Sequence, residues 1–226
     1  MSTDQKHKTA EAPVKTQGSG NFILENQKSL VFIVGGILVL VLLYIGYQRF
    51  YLAPRAEAAA DQLFKPEMYA TIDSLQQRAI DGDGSYPGFK EIAAEYQNTK
   101  SANIANAYLG GLYLRQGKYQ EAINALEQYS NTGSTILDPL VIGMLGDAYS
   151  ELKDYKKAAS YYKKAADKNT NTFTSPLLLK KLGLVYEAQN DYKQALAVYK
   201  RIQSDFPESH EATSIETYIA RAEAQL

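Results

Sequence analysis

The chain has 226 residues, 45% of them hydrophobic, and its 24 basic and 25 acidic residues leave a net charge of −1. Without a basic excess there is no stripe of Lys and Arg to release counterions from a phosphate backbone, which argues against a nucleic-acid partner. Cysteine is absent, which excludes a disulfide framework and any thiolate chemistry.

Residues 1–28 read as a tail. Met1 to Asn21 is polar, contains Gly18-Ser19-Gly20, and is too poor in apolar groups to offset the entropy of ordering, so it reads as disordered. A membrane-spanning segment follows at 29–49. Leu30 to Tyr47 holds no charge, thirteen of its eighteen residues are Leu, Ile, Val or Phe, and Lys28 and Arg49 flank it. At about 1.5 Å per residue the stretch is roughly 27 Å long, close to the hydrocarbon thickness of a bilayer. A cleaved signal peptide is the competing reading. The apolar run is long for one, and Arg49, Pro54 and Arg55 separate it from the small residues Ala56, Ala58 and Ala60. Lys6, Lys8, Lys15 and Lys28 precede the span, whereas Arg49, Arg55 and Lys65 follow it. That bias places the N-terminus inside. Tyr44, Tyr47, Phe50 and Tyr51 cluster at the far end, where an aromatic belt sits.

Residues 50–226 read as one helical domain. The periodicity predicts a helix from Ala56 to Ile80, with Pro66 as a break or kink. Asp81-Gly-Asp-Gly-Ser-Tyr-Pro87 is a turn. Gly88 to Gln97 is a second helix with Phe89, Ile92, Ala93 and Tyr96 on one face. Three segments then align with one another. The first holds Leu109-Gly110, Tyr113, Tyr119, Ala122 and Leu126. The second holds Leu145-Gly146, Tyr149, Tyr155, Ala158, Tyr162 and Ala165. The third holds Leu182-Gly183, Tyr186, Tyr192, Ala195, Tyr199, Ile202 and Pro207. This pattern resembles the tetratricopeptide repeat, an antiparallel helix pair with Leu-Gly-x2-Tyr on the first helix and Ala-x3-aromatic on the second. The expected units are a degenerate repeat at 56–99, repeats at about 103–136, 139–172 and 176–209, and a cap at 210–226. A cap is needed because stacked pairs share one continuous core and the last pair has no neighbour. The glycines Gly110, Gly146 and Gly183 and the alanines Ala122, Ala158 and Ala195 let helices approach closely. Tyr113, Tyr149 and Tyr186 fill the space between them. The fold class is therefore all-α: one transmembrane helix, then a tetratricopeptide-repeat solenoid with a C-terminal capping helix.

No catalytic constellation, cofactor motif or metal-ligand spacing is present, so the expected protein is not an enzyme and takes neither cofactor nor metal. Asp81 and Asp83 begin like a calcium loop, but the intervening glycines favour a turn. His210, between Glu208 and Glu211, reads as a solvated helix-start residue. The lysine runs Lys156-Lys157, Lys163-Lys164 and Lys180-Lys181 suggest an acidic partner. The interleaved Asp154, Asp167 and Glu187 favour ordinary solvated faces. Protein binding is the natural use of the repeat. Its first helices would line a groove displaying Leu114, Arg115, Asp147, Ser150, Glu151, Lys180, Leu184 and Glu187 to an extended or helical segment of another protein.

The order of parts carries a second resemblance. Phe22-x2-Glu25-Asn26-x-Lys28 leads into the span, Gly46 to Phe50 reads Gly-Tyr-x-Arg-Phe, and Gly88-Phe89 and Tyr96-x2-Thr99 mark the degenerate repeat. This architecture resembles the YfgM-like ancillary subunits of the bacterial Sec translocon. The resemblance implies a bacterial inner-membrane protein with a cytoplasmic N-terminus and a periplasmic repeat domain. It implies as partners the Sec translocon, a membrane-anchored periplasmic chaperone of the peptidyl-prolyl isomerase class, and unfolded secretory or outer-membrane clients. The alternative is a structural scaffold subunit of another cell-envelope complex.

Overall fold

A computed structural model describes residues 26–226. The tail to Asn21, its lysines, His7 and the Phe22–Glu25 portion of the entry motif lie outside the described residues. The chain divides into two units, one ending at Leu52 and one running from Ala53 to Leu226.

The first unit is helical. Helix α1 spans Gln27–Gly46 and buries none of its residues. Twenty residues at about 1.5 Å each give about 30 Å, the thickness of a hydrocarbon core. Val31 to Leu43 turn their apolar side chains outward all round the helix, with Phe32 81% exposed. The helix is long and apolar enough to cross a membrane, which is consistent with a single-pass anchor. A π-helical turn follows at Tyr47–Leu52. In it the rings of Tyr47 and Tyr51 stack at 5.3 Å, and Gln48 donates to the Tyr44 hydroxyl at 3.0 Å.

The second unit starts with α2, Ala53–Ala70, which contains Pro66. The helix expected to reach Ile80 ends at Ala70 instead. Ile72 is extended (φ −115°, ψ 115°) and a 3₁₀ turn, Asp73–Leu75, reverses the chain into α3, Gln76–Asp81. Pro66 does not itself break α2. It removes one backbone donor, and the helix persists for another turn before ending. The reversal packs α3 against α2, with Ala59, Ala70, Ala79 and Ile80 buried together. Helix α4 is Phe89–Glu95, with Phe89 and Ile92 in the same cluster.

Three antiparallel pairs follow: α5 (Lys100–Arg115) with α6 (Tyr119–Glu127), α7 (Leu137–Glu151) with α8 (Tyr155–Lys168), and α9 (Thr174–Ala188) with α10 (Tyr192–Asp205). Local chemistry sets their ends. Thr99, Asp154 and Asp191 each accept a backbone N–H of the first turn of α5, α8 and α10. The turn inside every pair is built the same way. The residue seven after the repeat glycine takes a positive φ: Gly117 at 70°, Lys153 at 60° and Asn190 at 59°. Its N–H reaches back to Leu114, Ser150 or Glu187, and the next N–H reaches Tyr113, Tyr149 or Tyr186. These are paired left-handed C-caps, and they aim the second helix back along the first.

The repeat glycines have one role each time. A Cβ on Gly110, Gly146 or Gly183 would collide with the side chain sixteen residues later: Leu126, Tyr162 or Tyr199. Ala122, Ala158 and Ala195 are fully buried beneath the neighbouring helix. The core runs as three apolar clusters along the array rather than as one centre, as stacked repeats require. The last helix, α11 (Ile215–Glu223), follows a 3₁₀ turn at Glu211–Ser214. It closes the end by burying Ile215, Ile219 and Ala222 against Tyr199, Ile202 and Phe206. His210 is exposed and its carbonyl starts that turn.

Candidate functional site

The candidate groove residues all lie on first helices of the repeat pairs, four or five residues after a glycine or within one helical turn of it. Asp147, Ser150 and Leu184 come together in one shallow depression between α7 and α9, floored by Tyr162, Val185 and Ala188 and edged by Lys181. Leu184 is 41% exposed there, an apolar side chain open to solvent beside polar neighbours. Leu114 is half-buried against the first and middle core clusters. Arg115 is exposed at the end of α5. Glu151 accepts the hydroxyl of Tyr119 at 3.1 Å, so it ties α7 to the preceding pair.

The other two acidic positions are engaged as well. Asp147 takes the Lys181 ammonium at 2.6 and 2.8 Å and the Tyr162 hydroxyl at 2.5 Å. Glu187 takes the Arg221 guanidinium, with Nη2 2.8 Å from Oε2, and the Tyr199 hydroxyl at 3.1 Å. Lys180 sits over the ring of Tyr218 at 4.8 Å, and Arg221 lies at the same distance from that ring. Lys180 and Glu187 thus face the capping helix, while Asp147, Ser150 and Leu184 face the depression.

Burial, and then the Asp147 charge beside it, hold the Tyr162 phenol far above its usual value. Burial followed by the Glu187 charge does the same to Tyr199. Both stay protonated donors across the physiological range. Neither behaves as a base, and the depression holds a salt bridge with an apolar shelf rather than a reactive pair.

Sequence reasoning missed the ties between repeats. Asp147–Lys181, Asp167–Arg201 and Glu187–Arg221 each join residues 34 apart. Successive repeat glycines are 36 and 37 residues apart, so a carboxylate meets a base just short of one repeat further on. Opposite charges at that spacing were the available signal. A further missed group is Asp138, nearly fully buried at the start of α7. It accepts from the Tyr129 hydroxyl, the Thr132 N–H and hydroxyl, and the Gly133 N–H, pinning the link between the first two pairs.

Asp81 and Asp83 make a turn. Asp81 pairs with Lys90 at 2.7 Å, and Asp83 accepts from Tyr69, Ser85 and Tyr86. Among the described residues no cluster of His, Cys, Asp and Glu could hold a metal ion.

No curated protein matches the chain. Residues 89–131 and 144–210 match the family model described as Tetratricopeptide repeat, and the helix pairs α5–α6, α7–α8 and α9–α10 are tetratricopeptide repeats.

Proposed function

We propose that this protein is a membrane-anchored adaptor whose repeat groove holds a segment of another protein. Tetratricopeptide repeats mediate protein–protein interaction, and the observation that carries the reading is the depression between α7 and α9. There an exposed Leu184 and a Ser150 whose hydroxyl has no hydrogen bond among the described residues lie beside a closed Asp147–Lys181 pair. With its acid neutralised from within, the floor offers apolar contact and hydroxyl hydrogen bonding, which suits a side chain of an extended or helical peptide better than a charged terminus. Helix α1, apolar on every side, supplies the anchor. The resemblance in architecture supports a finer version. The anchor sits in a bacterial inner membrane with the repeat domain in the periplasm. Its partners are the Sec translocon and a membrane-anchored chaperone of the peptidyl-prolyl isomerase class, and the work is handover of unfolded secretory or outer-membrane clients.

The test is affinity purification of the tagged full-length protein in mild detergent, beside a version with α1 replaced by an unrelated span and a Leu184→Arg variant. Translocon subunits and an isomerase should co-purify with the native chain. The replaced span should lose the translocon and Leu184→Arg should lose soluble partners. Recovery of a different envelope machine, insensitive to Leu184→Arg, would replace the adaptor reading with a scaffold subunit.

A further inference from the structure

The lysine runs on the second repeat acquire a different meaning once their neighbours are in place. Helix α8 buries Ala158, Ala159, Tyr162, Ala165 and Ala166. Its opposite face carries Lys156, Lys163, Lys164 and Lys168, all exposed, with Asp167 as the one acid among them. The acids that would neutralise them are used elsewhere. Asp154 caps α8 and reaches Lys157 at 3.5 Å, Asp167 takes Arg201, and Glu187 takes Arg221. None of the four lysines has an acidic partner among the described residues. Lys157 covers the face of Tyr149 at 4.7 Å and extends the basic surface along the helix.

Charge along the domain comes in blocks. Residues 119–152 hold five acids and no base. Residues 153–201 hold eleven bases against four acids, a net of +7. Residues 202–226 hold five acids and one base. Two acids of the flanking blocks do reach in, Asp147 to Lys181 and Glu223 to Lys200, but neither pairs with the lysines of α8. Among the described residues the four lysines thus have no ion-pair partner, and their solvated ammonium groups are open to an anion from outside the chain.

We propose that the outer face of α8 docks on the anionic phospholipid surface of the bilayer that holds α1. This rests on the anchor reading and is independent of the groove, which lies on the first helices of the pairs. The choice of lipid over an acidic protein follows from tethering. A chain with a spanning helix never leaves its bilayer, so the encounter is intramolecular and even a few lysine–phosphate contacts suffice without a preformed pocket. The four lysines supply flexible point charges, which suit mobile headgroups rather than a fixed bidentate acceptor. Docking by this face leaves the sequence of any groove ligand unconstrained and would hold the repeat domain against the membrane when no partner is bound.

The chain has no cysteine, so Ser160→Cys gives a single attachment point in the middle of this face, and Asp73→Cys gives a control on an exposed turn. Full-length protein carrying a donor dye at one position is reconstituted into vesicles with acceptor-labelled headgroups. The vesicles are either phosphatidylcholine alone or phosphatidylcholine with phosphatidylglycerol. Energy transfer from position 160 should be at least twofold higher in the anionic vesicles. The excess should vanish near 1 M salt, where the Debye length is about 3 Å. It should also vanish in the Lys156→Glu/Lys163→Glu/Lys164→Glu/Lys168→Glu variant, whose circular dichroism and melting should match the parent because all four side chains are exposed. Equal transfer in the two lipids overturns the proposal, as does an excess that survives salt. Equal transfer combined with an acidic protein captured by the parent and lost by the quadruple variant overturns it in favour of a protein partner. Failure to float with neutral vesicles would remove the anchor, and this proposal with it. Flotation with an indifferent label removes this proposal alone.

Discussion

Gly146 shows how one missing side chain sets a helix-to-helix distance. A Cβ at that position would lie 2.7 Å from the ring of Tyr162, whose side chain is buried and anchored by its hydroxyl to Asp147. The ring cannot swing away without breaking that bond. Gly146→Ala should therefore destabilise the domain by about 1–3 kcal/mol through overpacking, and an unchanged denaturation midpoint would count against this packing. Lys153 behaves in the opposite sense. It closes the α7–α8 turn at φ 60°, where Gly117 stands in the preceding repeat, and its exposed side chain makes no hydrogen bond or ion pair among the described residues. Lys153→Gly should stabilise by about 0.5 kcal/mol, the relief of left-handed strain less the added chain entropy of glycine. A lower urea midpoint would refute it. The glycine and alanine rows were legible in the sequence because close approach tolerates few residue types. Which side chain covers each glycine was not: the covering residue sits sixteen positions on, across a turn, and only the geometry of the pair selects it.

Adjacent pairs are tied by polar contacts that each stand just under one repeat apart, and Asp147 joins two of its neighbours at once, Lys181 and Tyr162. Removing its carboxylate in Asp147→Ala leaves the Tyr162 hydroxyl buried without an acceptor, whereas Lys181 can still reach water. The cost should be about 1–3 kcal/mol. In that background Tyr162→Phe should cost little, because both partners are then gone. Additive losses in the cycle would show that the two groups do not interact. Asp147 and Glu187 were expected in the groove because they follow the repeat glycines on the first helix, which is where repeat proteins face their ligands. Their basic partners, Lys181 and Arg221, lie on the next pair and on α11, beyond the reach of a pattern read within one repeat. The same limit explains α2. Apolar periodicity continues from Ala56 toward Ile80 because both α2 and α3 pack on one cluster, so the reversal at Thr71–Ile72 leaves no break in the pattern.

Across the whole domain the core is three linked clusters, so each end must be closed by something other than a full repeat. Helix α11 does this at the C-terminal end, covering Tyr199, Ile202 and Phe206 with Ile215, Ile219 and Ala222. Its existence was legible because the apolar spacing of Ile215, Tyr218, Ile219 and Ala222 fits one helical face. Truncation after Phe206 should expose the last cluster, raise binding of an apolar dye and lower the melting temperature, while leaving far-ultraviolet circular dichroism largely helical. A cooperative melt unchanged by the truncation would mean that α11 is not a cap. The response to pH also belongs to the array as a whole, because buried phenols recur along it. Burial raises Tyr162 and Tyr199 far above the usual range, with Asp147 and Glu187 adding to it. Burial, reinforced by Asp138 against the opposing Thr132 hydrogen bond, pushes Tyr129 up to about 12. In the unfolded chain these phenols lose protons near pH 10. A group whose folded value is raised contributes in full below the unfolded value, and its contribution falls as pH rises toward the folded one. Stability should thus decline steadily above about pH 10. At the acid end burial works against the Asp138 carboxylate, but its donors outweigh that and hold it below the usual range. Its contribution is present above the unfolded value and is lost as pH falls through the folded one, so a second decline should begin below about pH 4. Melting temperatures followed from pH 3 to pH 12 test both limbs. Tyr199→Phe should flatten the alkaline limb without touching the acid one, and a profile that stays level between pH 10 and pH 12 would mean that these hydroxyls are open to solvent.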